Sequence, residues 1–321
     1  MTAVLPPGSP LEAMLEGRVP VLRVPMRGLW DLAARRRLRR LALSGGVPLV
    51  QTWMGRATRL LRLPSRRVVH VARLGGYYDV KGYRHAHAWI GNTRGICDHL
   101  LAAGLPASRV FHIGNFYRPP PPLTGEQRAV LRRGLGVPEG AWMIFALGRL
   151  HPNKGFDTLL EALSRLPETI AGRPWHMVIA GEGPLGTELR EAGRRLGLEQ
   201  RLTWPGWNPE PAPWYQVADL FVCPSRHEPL GNVILEAWGN RVPVLACASQ
   251  GPSELIRPGR DGMLVPVDRP PALARAIADL LGEEALREGL VEAGFRRLEE
   301  EFSVEVILER YRDLYERLTG A

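Results

Sequence analysis

The chain has 321 residues, enough for two domains and far too many for a disulfide-stapled miniprotein. Hydrophobic residues make up 45% and charged residues 23%, a balance that excludes wholesale disorder and a bundle of membrane spans. The formal net charge of +9 is unevenly placed: residues 1–121 hold 19 basic residues against five acids, whereas residues 122–321 hold 23 against 28, so an anionic partner is expected on the first half.

In chain order, the first half predicts strands at 2–6, 19–25, 47–53, 67–72 and 88–92, with helices over 28–43 and 93–104. The first half thus reads as an α/β domain, and its first helix contains the run WDLAARRRLRRLAL. That run reads either as an anionic-membrane helix or, the preferred reading, as a cover for the sheet that shows its arginines to water. Four prolines, Pro119 to Pro122, force an extended segment, so the interdomain linker is placed there, with domains at 1–121 and 122–301.

From residue 142 the pattern is regular. Apolar strands at 142–148, 175–181, 201–206, 219–225, 242–248 and 262–267 alternate with helices at 155–167, 184–196, 230–240 and 270–282. Strands that are apolar throughout, each followed by a helix, predict a parallel sheet covered on both faces, a doubly wound domain. Two more amphipathic helices, at 283–301 and 304–318, end the chain.

The chemistry lies in the loops after these strands. Arg149 and Lys154 sit between a strand and the glycine that opens a helix, where a doubly wound sheet binds anions, and two cations there suit a diphosphate. The chain holds 40 arginines and two lysines, so a lysine in that loop points to a need for a compact ammonium. Glu228 follows a later strand, and Glu236 lies in the apolar helix VILEAW, where an acid needs water or a hydrogen-bonding partner such as a ribose diol. Between them, Gly231 and Asn232 form an expected helix start able to face phosphate, and Ser253 and Glu254 are placed at another helix start. Cys97, Cys223 and Cys247 have no metal-ligand spacing and read as buried thiols. No stretch approaches the ~20 apolar residues of a spanning helix and the start lacks a signal-like pattern, so a cytoplasmic chain is expected, at most attached peripherally to the inner membrane face.

The motifs G-R-L-x-x-x-K-G, G-E-G-P-L, the Glu-x7-Glu element EPLGNVILE, and then G-x-x-E-L-I and D-G-x-L-V, occur in that order over 142–267. This combination resembles the retaining, nucleotide-sugar-dependent glycosyltransferases of the GT-B fold, specifically the bacterial group 1 family. The resemblance implies two Rossmann-like domains, with the final helix, within 302–321, returning to the first. It implies that Arg149 and Lys154 grip the donor diphosphate, that Glu236 binds the ribose, and that Glu228 sits beside the transferred sugar. Pro229-Leu230-Gly231 stands where the family commonly has Gly-Phe-Gly, so Leu230 joins the donor-side candidates. In the first domain the chain is expected to enter at the family's second strand, with one βα unit missing. Arg73, followed by Gly75 and Gly76, occupies the acceptor-side position where a histidine often stands, and His70, His85 and His87 read as structural or exposed.

Departure of a diphosphate builds negative charge on phosphate and positive charge on the anomeric carbon, which cations and a carboxylate stabilise without a metal. Accordingly no cofactor or metal is expected, and the sequence contains no D-x-D pair. The expected partners are a nucleotide sugar, a saccharide or lipid-linked acceptor, and an anionic membrane surface, but no nucleic acid. Two alternatives stand beside the transferase: a truncated nucleotide-sugar-binding protein and a nucleotide-sugar epimerase.

Overall fold

The computed structural model describes residues 1–64 and 67–320, which divide into two compact units: Met1–Gly114 with the chain from Glu309, and Asn115–Leu308. The first boundary falls ahead of the prolines, not after residue 121. The reason is local packing: Tyr117 N donates to the Phe302 carbonyl at 3.2 Å, and Gln216 donates to the Pro121 carbonyl at 3.2 Å, so residues 115–121 are fixed to the second unit. The C-terminal division likewise falls at 308/309 and not at 301/302, and Ala321 lies outside the described residues.

The first unit runs β1 (Ala3–Leu5), α1 (Leu11–Leu15), β2 (Val21–Arg23), α2 (Leu32–Ser44), β3 (Leu49–Trp53), α3 (Met54–Leu60), β4 (Val69–Leu74), β5 (Ala88–Gly91), α4 (Arg94–Ala102) and β6 (Val110–His112). Strands β1 and β2 pair in parallel as a sheet of two, and β3-β4-β5-β6 form a parallel sheet of four in sequential order. Helices α2 and α4 begin at side-chain caps: Asp31 accepts from Ala34 N at 2.9 Å, and Thr93 from Ile96 N at 3.1 Å. Ala72, Leu74, Trp89, Ile96 and Leu100 form the apolar core between the sheet and α4.

Beside this core lies a polar interior. His70 is fully buried, its Nε2 2.9 Å from Thr52 Oγ1, which is 2.9 Å from Thr58 Oγ1. Burial, with the nearby His85 and His87, holds the His70 imidazole down to about 3, so it is neutral. His85 Nε2 lies 2.8 Å from the Thr58 carbonyl, and His87 Nδ1 accepts from His70 N at 3.0 Å. His70 is thus interior, and His85 and His87 are half-buried against it.

The second unit runs α5 (Gly125–Gly134), β7 (Trp142–Leu147), α6 (Phe156–Leu163), β8 (Thr169–Ile170), β9 (Arg173–Ala180), α7 (Gly186–Arg195), β10 (Leu202–Gly206), α8 (Ala212–Gln216), β11 (Leu220–Cys223), α9 (Asn232–Gly239), β12 (Val244–Cys247), α10 (Gln250–Leu255), β13 (Met263–Val265), α11 (Pro270–Gly282) and α12 (Glu284–Phe302). Its sheet is ordered β10-β9-β7-β11-β12-β13, all parallel, with β8 added antiparallel to β9. Counted along the chain, the parallel strands stand 3-2-1-4-5-6, the doubly wound order whose direction reverses between β7 and β11. Trp142, Ile144 and Ala146 point to one apolar layer and Met143 and Phe145 to the other, because strand side chains alternate. With both layers covered by helices, the strands read as unbroken apolar runs. The last helix, α13 (Val304–Thr319), spans the division between the units.

Candidate functional site

The reversal between β7 and β11 splays apart the loops that leave their carboxyl ends, and a doubly wound sheet binds ligands in that crevice. The loop after β7 carries Arg149 and Lys154, and the loop after β11 carries Glu228. They are stitched together. Arg226 N and His227 N donate to the Asn153 carbonyl at 2.9 and 3.1 Å, and Arg226 Nη1 donates to the Pro152 carbonyl at 2.9 Å. The Arg226 fork also grips both oxygens of Asp157 at 2.7 and 2.6 Å, and its Nε reaches Asp268 at 2.6 Å. These carboxylates raise the guanidinium's already high pKa further, so it is a permanent cation. The loops touch so closely that a Cβ on Gly155, which has φ of +63°, would collide with the Pro224 carbonyl oxygen.

On this frame Lys154 Nζ donates to Glu228 Oε2 in an ion pair whose side chains retain only 24% and 13% exposure. Arg149 is exposed in the same loop and has no ion-pair partner among the described residues. Three residues beyond Glu228, Gly231 opens α9 with φ of +89°, turning the chain sharply into the helix. Leu230 is buried, and Gly251 N donates to the Glu228 carbonyl at 2.7 Å, joining the loop after β12 to the same cluster. Asn232 is exposed, its Oδ1 accepting from Asn115 Nδ2 at 2.6 Å.

Glu236 is the fifth residue of α9, and the fully buried Tyr215 donates its hydroxyl to Glu236 Oε2 at 3.0 Å. Burial, reinforced by the charge of Glu228, pushes the Glu236 carboxyl above its ordinary value, against the hydrogen bond from Tyr215. Burial likewise drives the Tyr215 phenol well above its ordinary range, so it remains a donor. Glu236 is therefore a shielded carboxylate with one fixed donor on one oxygen, which leaves acceptor positions for a diol.

The donor-side candidates Arg149, Lys154, Glu228, Leu230, Gly231, Asn232 and Glu236 thus fall on two loops and the helix that leaves the second. The acceptor-side candidates lie in the other unit. Arg73 is only 9% exposed: its Nε donates to Tyr311 OH at 2.8 Å and its guanidinium lies 4.5 Å from the Trp53 ring centroid. Together with Tyr315 OH donating to Gln51 Oε1 at 2.7 Å, it secures the end of α13. Gly75 is half-buried beside the Asn92 amide and Gly76 is packed under the Tyr78 ring.

Ser253 and Glu254 are corrected: α10 starts at Gln250, so they stand inside the helix. Ser249 takes the cap position instead, and its hydroxyl oxygen is buried without a hydrogen-bond partner. Tyr215 and Arg226 were not singled out by sequence. Tyr215 reaches Glu236 across 21 positions from the five-residue α8, a separation that no periodicity marks. Arg226, by contrast, stood inside PSRHEP, and a lone cation two residues before Glu228 was the available signal. The cysteines are buried free thiols, with Cys247 pushed up to about 12 by burial. Among the described residues no three His, Cys, Asp or Glu side chains group to hold a metal, and no helix is long and apolar enough to cross a membrane.

Comparison with known proteins gives concordant matches. The family described as Glycosyl transferases group 1 matches residues 142–283. A lipopolysaccharide core biosynthesis glycosyltransferase of Rhizobium meliloti, LpsE, is 31% identical over 317 residues, covering 98% of this chain and 89% of its own length. A second from that organism, LpsD, is 30% identical over 272 residues, 84% of this chain and 75% of its own. Among solved structures, Anabaena Alr3699/HepE in complex with UDP and glucose superposes with a TM-score of 0.82 at 20% identity, covering 98% of this chain and 91% of that one. That likeness establishes the two-domain GT-B fold.

Proposed function

Since the chain belongs to the group 1 glycosyltransferases, we propose that it moves a sugar, with retention and without a metal, from a nucleotide-sugar donor to a saccharide or lipid-linked acceptor. The relatives named for lipopolysaccharide core biosynthesis favour an envelope glycan as product, and the neighbour bound to UDP and glucose favours a uridine diphosphate sugar as donor.

The observation that carries this reading is the convergence of Lys154, Glu228 and Glu236 at the reversal of strand order. In transfer, the bond from the anomeric carbon to the phosphate oxygen breaks and its electron pair stays on the diphosphate. An acceptor hydroxyl oxygen bonds the same carbon from the same face, and its proton passes to the departing phosphate. Lys154, with two hydrogens beyond the one engaged by Glu228, and Arg149 neutralise the leaving group. Glu228 lies against that ammonium, its carboxylate placed to stabilise positive charge on the sugar ring. Glu236 accepts from the ribose hydroxyls through the lone pairs that Tyr215 leaves open.

The test is donor hydrolysis and transfer by Lys154→Ala and Glu236→Ala proteins, with product stereochemistry read by NMR. Loss of turnover in both, with an axial or equatorial configuration unchanged from the donor in the residual product, is expected; full activity in both would sink the site assignment.

A further inference from the structure

Of the large apolar side chains exposed in the second unit, Trp207 alone, among the described residues, stands in a loop leaving the carboxyl end of the sheet. It is 66% exposed. Trp204, in the same TWPGW run, is half-buried against an apolar layer with its ring centroid 5.6 Å from the Arg190 guanidinium, so packing accounts for it. Packing does not account for Trp207, whose indole forgoes the burial that an aromatic side chain ordinarily gains. The loop that carries it is stiff. Gly206 turns the chain with φ of +84°, and its carbonyl accepts from Gly181 N at 2.8 Å, tying this loop to the one after β9. Asn208 Oδ1 accepts from Glu210 N at 3.0 Å, and Pro209 and Pro211 fix two more φ angles before α8 begins. An exposed ring on a rigid loop is a platform shaped before its ligand arrives.

Strand order and chain order both indicate what that ligand is. The strands from β10 to β13 are parallel, so the end of β10 lies on the same side of the sheet as the end of β7, two strand spacings or about 10 Å away. The helix that follows the Trp207 loop carries Tyr215, whose hydroxyl holds Glu236. A nucleotide with its diphosphate at Lys154 and its ribose at Glu236 still has its base to place. Glu228, beside the transferred sugar, follows β11, on the opposite side of β7 from β10, so the Trp207 loop is the one left for the base. Every nucleobase offers a flat π face, and an indole takes that face without needing a particular hydrogen-bonding edge. We propose that Trp207 is the platform on which the donor's nucleobase stacks. The inference rests on the donor-site reading above and adds to it a residue that neither Lys154 nor Glu236 implies.

The experiment is titration of the intact protein and its Trp207→Ala and Trp207→Phe variants with UDP, GDP and ADP, read by calorimetry and by tryptophan emission, with thermal melting as the check of fold. For the nucleotide that binds the unaltered protein most tightly, Trp207→Ala should weaken binding on the order of tenfold and Trp207→Phe less than about threefold. Emission of the unaltered protein should fall on saturation, and Trp207→Phe at saturating nucleotide should lack that fall. In steady-state transfer Trp207→Ala should raise the donor KM and leave kcat unchanged, because a base stacked alike before and during transfer contributes binding only. Unaltered affinity in Trp207→Ala, a fall in emission that survives in Trp207→Phe, or binding by none of the three nucleotides would each overturn the proposal. So would slower sedimentation of Trp207→Ala with affinity unmoved, which would make Trp207 a contact between copies of the chain. If Lys154→Ala and Glu236→Ala weaken binding and Trp207→Ala does not, the stacking contact alone fails; if none of the three does, the donor-site reading fails with it.

Discussion

The two units are built from the same parallel βα grammar but spend their arginines differently. In the second unit the strand order reverses once, and Arg226 ties together the two loops that flank the reversal, leaving Lys154 against Glu228. In the first, the four-stranded sheet runs in sequential order with no reversal, and Arg73, at the carboxyl end of β4, is committed to Trp53 and Tyr311. Equivalent positions at strand ends therefore do different work: a cation beside a crevice organises a site, and a cation under a returning helix organises packing. What decides is whether the topology opens a crevice there.

Substitutions on the two sides should separate those roles. The largest effect belongs to Lys154→Ala, which on the proposed mechanism removes leaving-group neutralisation and is expected to lower kcat/KM on the order of a thousandfold; steady-state kinetics that fall less than tenfold would erase the contrast. Arg226→Ala should follow, with a loss of roughly thirtyfold through misplaced loops. Arg226→Lys should give little rescue, because an ammonium cannot hold Asp157 and Asp268 with a planar fork.

In the first unit, Arg73→Ala should cost about 2 kcal/mol, from one charge-assisted hydrogen bond and one cation–π contact. Denaturant unfolding should register it while nucleotide affinity stays at the unaltered value; a drop in affinity equal to that of Lys154→Ala would make the two cations alike after all. His70 supplies a pH signature for the same unit. Its folded value, about 3, lies below the unfolded 6.5, so between those limits the unfolded chain binds the extra proton and stability falls as pH falls. From pH 7 to 5 the loss attributable to His70 is about 2 kcal/mol, and His70→Gln should flatten that slope. The smallest change is Tyr215→Phe, expected to weaken nucleotide binding about fivefold by releasing Glu236. Its effect should vanish for a nucleotide lacking both ribose hydroxyls.

The second unit was legible because its strands are apolar on both faces and its glycines and prolines punctuate them; all six parallel strands stand within about two residues of their expected ends. Legibility failed where order is carried by contacts distant in sequence. The α5 helix was missed although Thr124 and Gln127 form a capping box, a signal that was readable. The short α3 and β6 offered too few residues for a period to emerge. Lys154 stands out in the composition, since it is one of two lysines, but charge pattern could not tell Arg73 from Arg149. That distinction needs to know which strand end is covered by a helix whose contacts lie some 240 positions away.

The account's central claim is that one loop cluster in the second unit, around Lys154 and Glu236, holds the donor nucleotide. Calorimetric titration of the intact chain with UDP, GDP and ADP tests it most directly. At least one of the three should bind, and Lys154→Ala and Glu236→Ala should each weaken that binding on the order of tenfold or more, in proteins whose melting shows them folded. Undiminished affinity in both variants, or no binding by any of the three nucleotides, would contradict it.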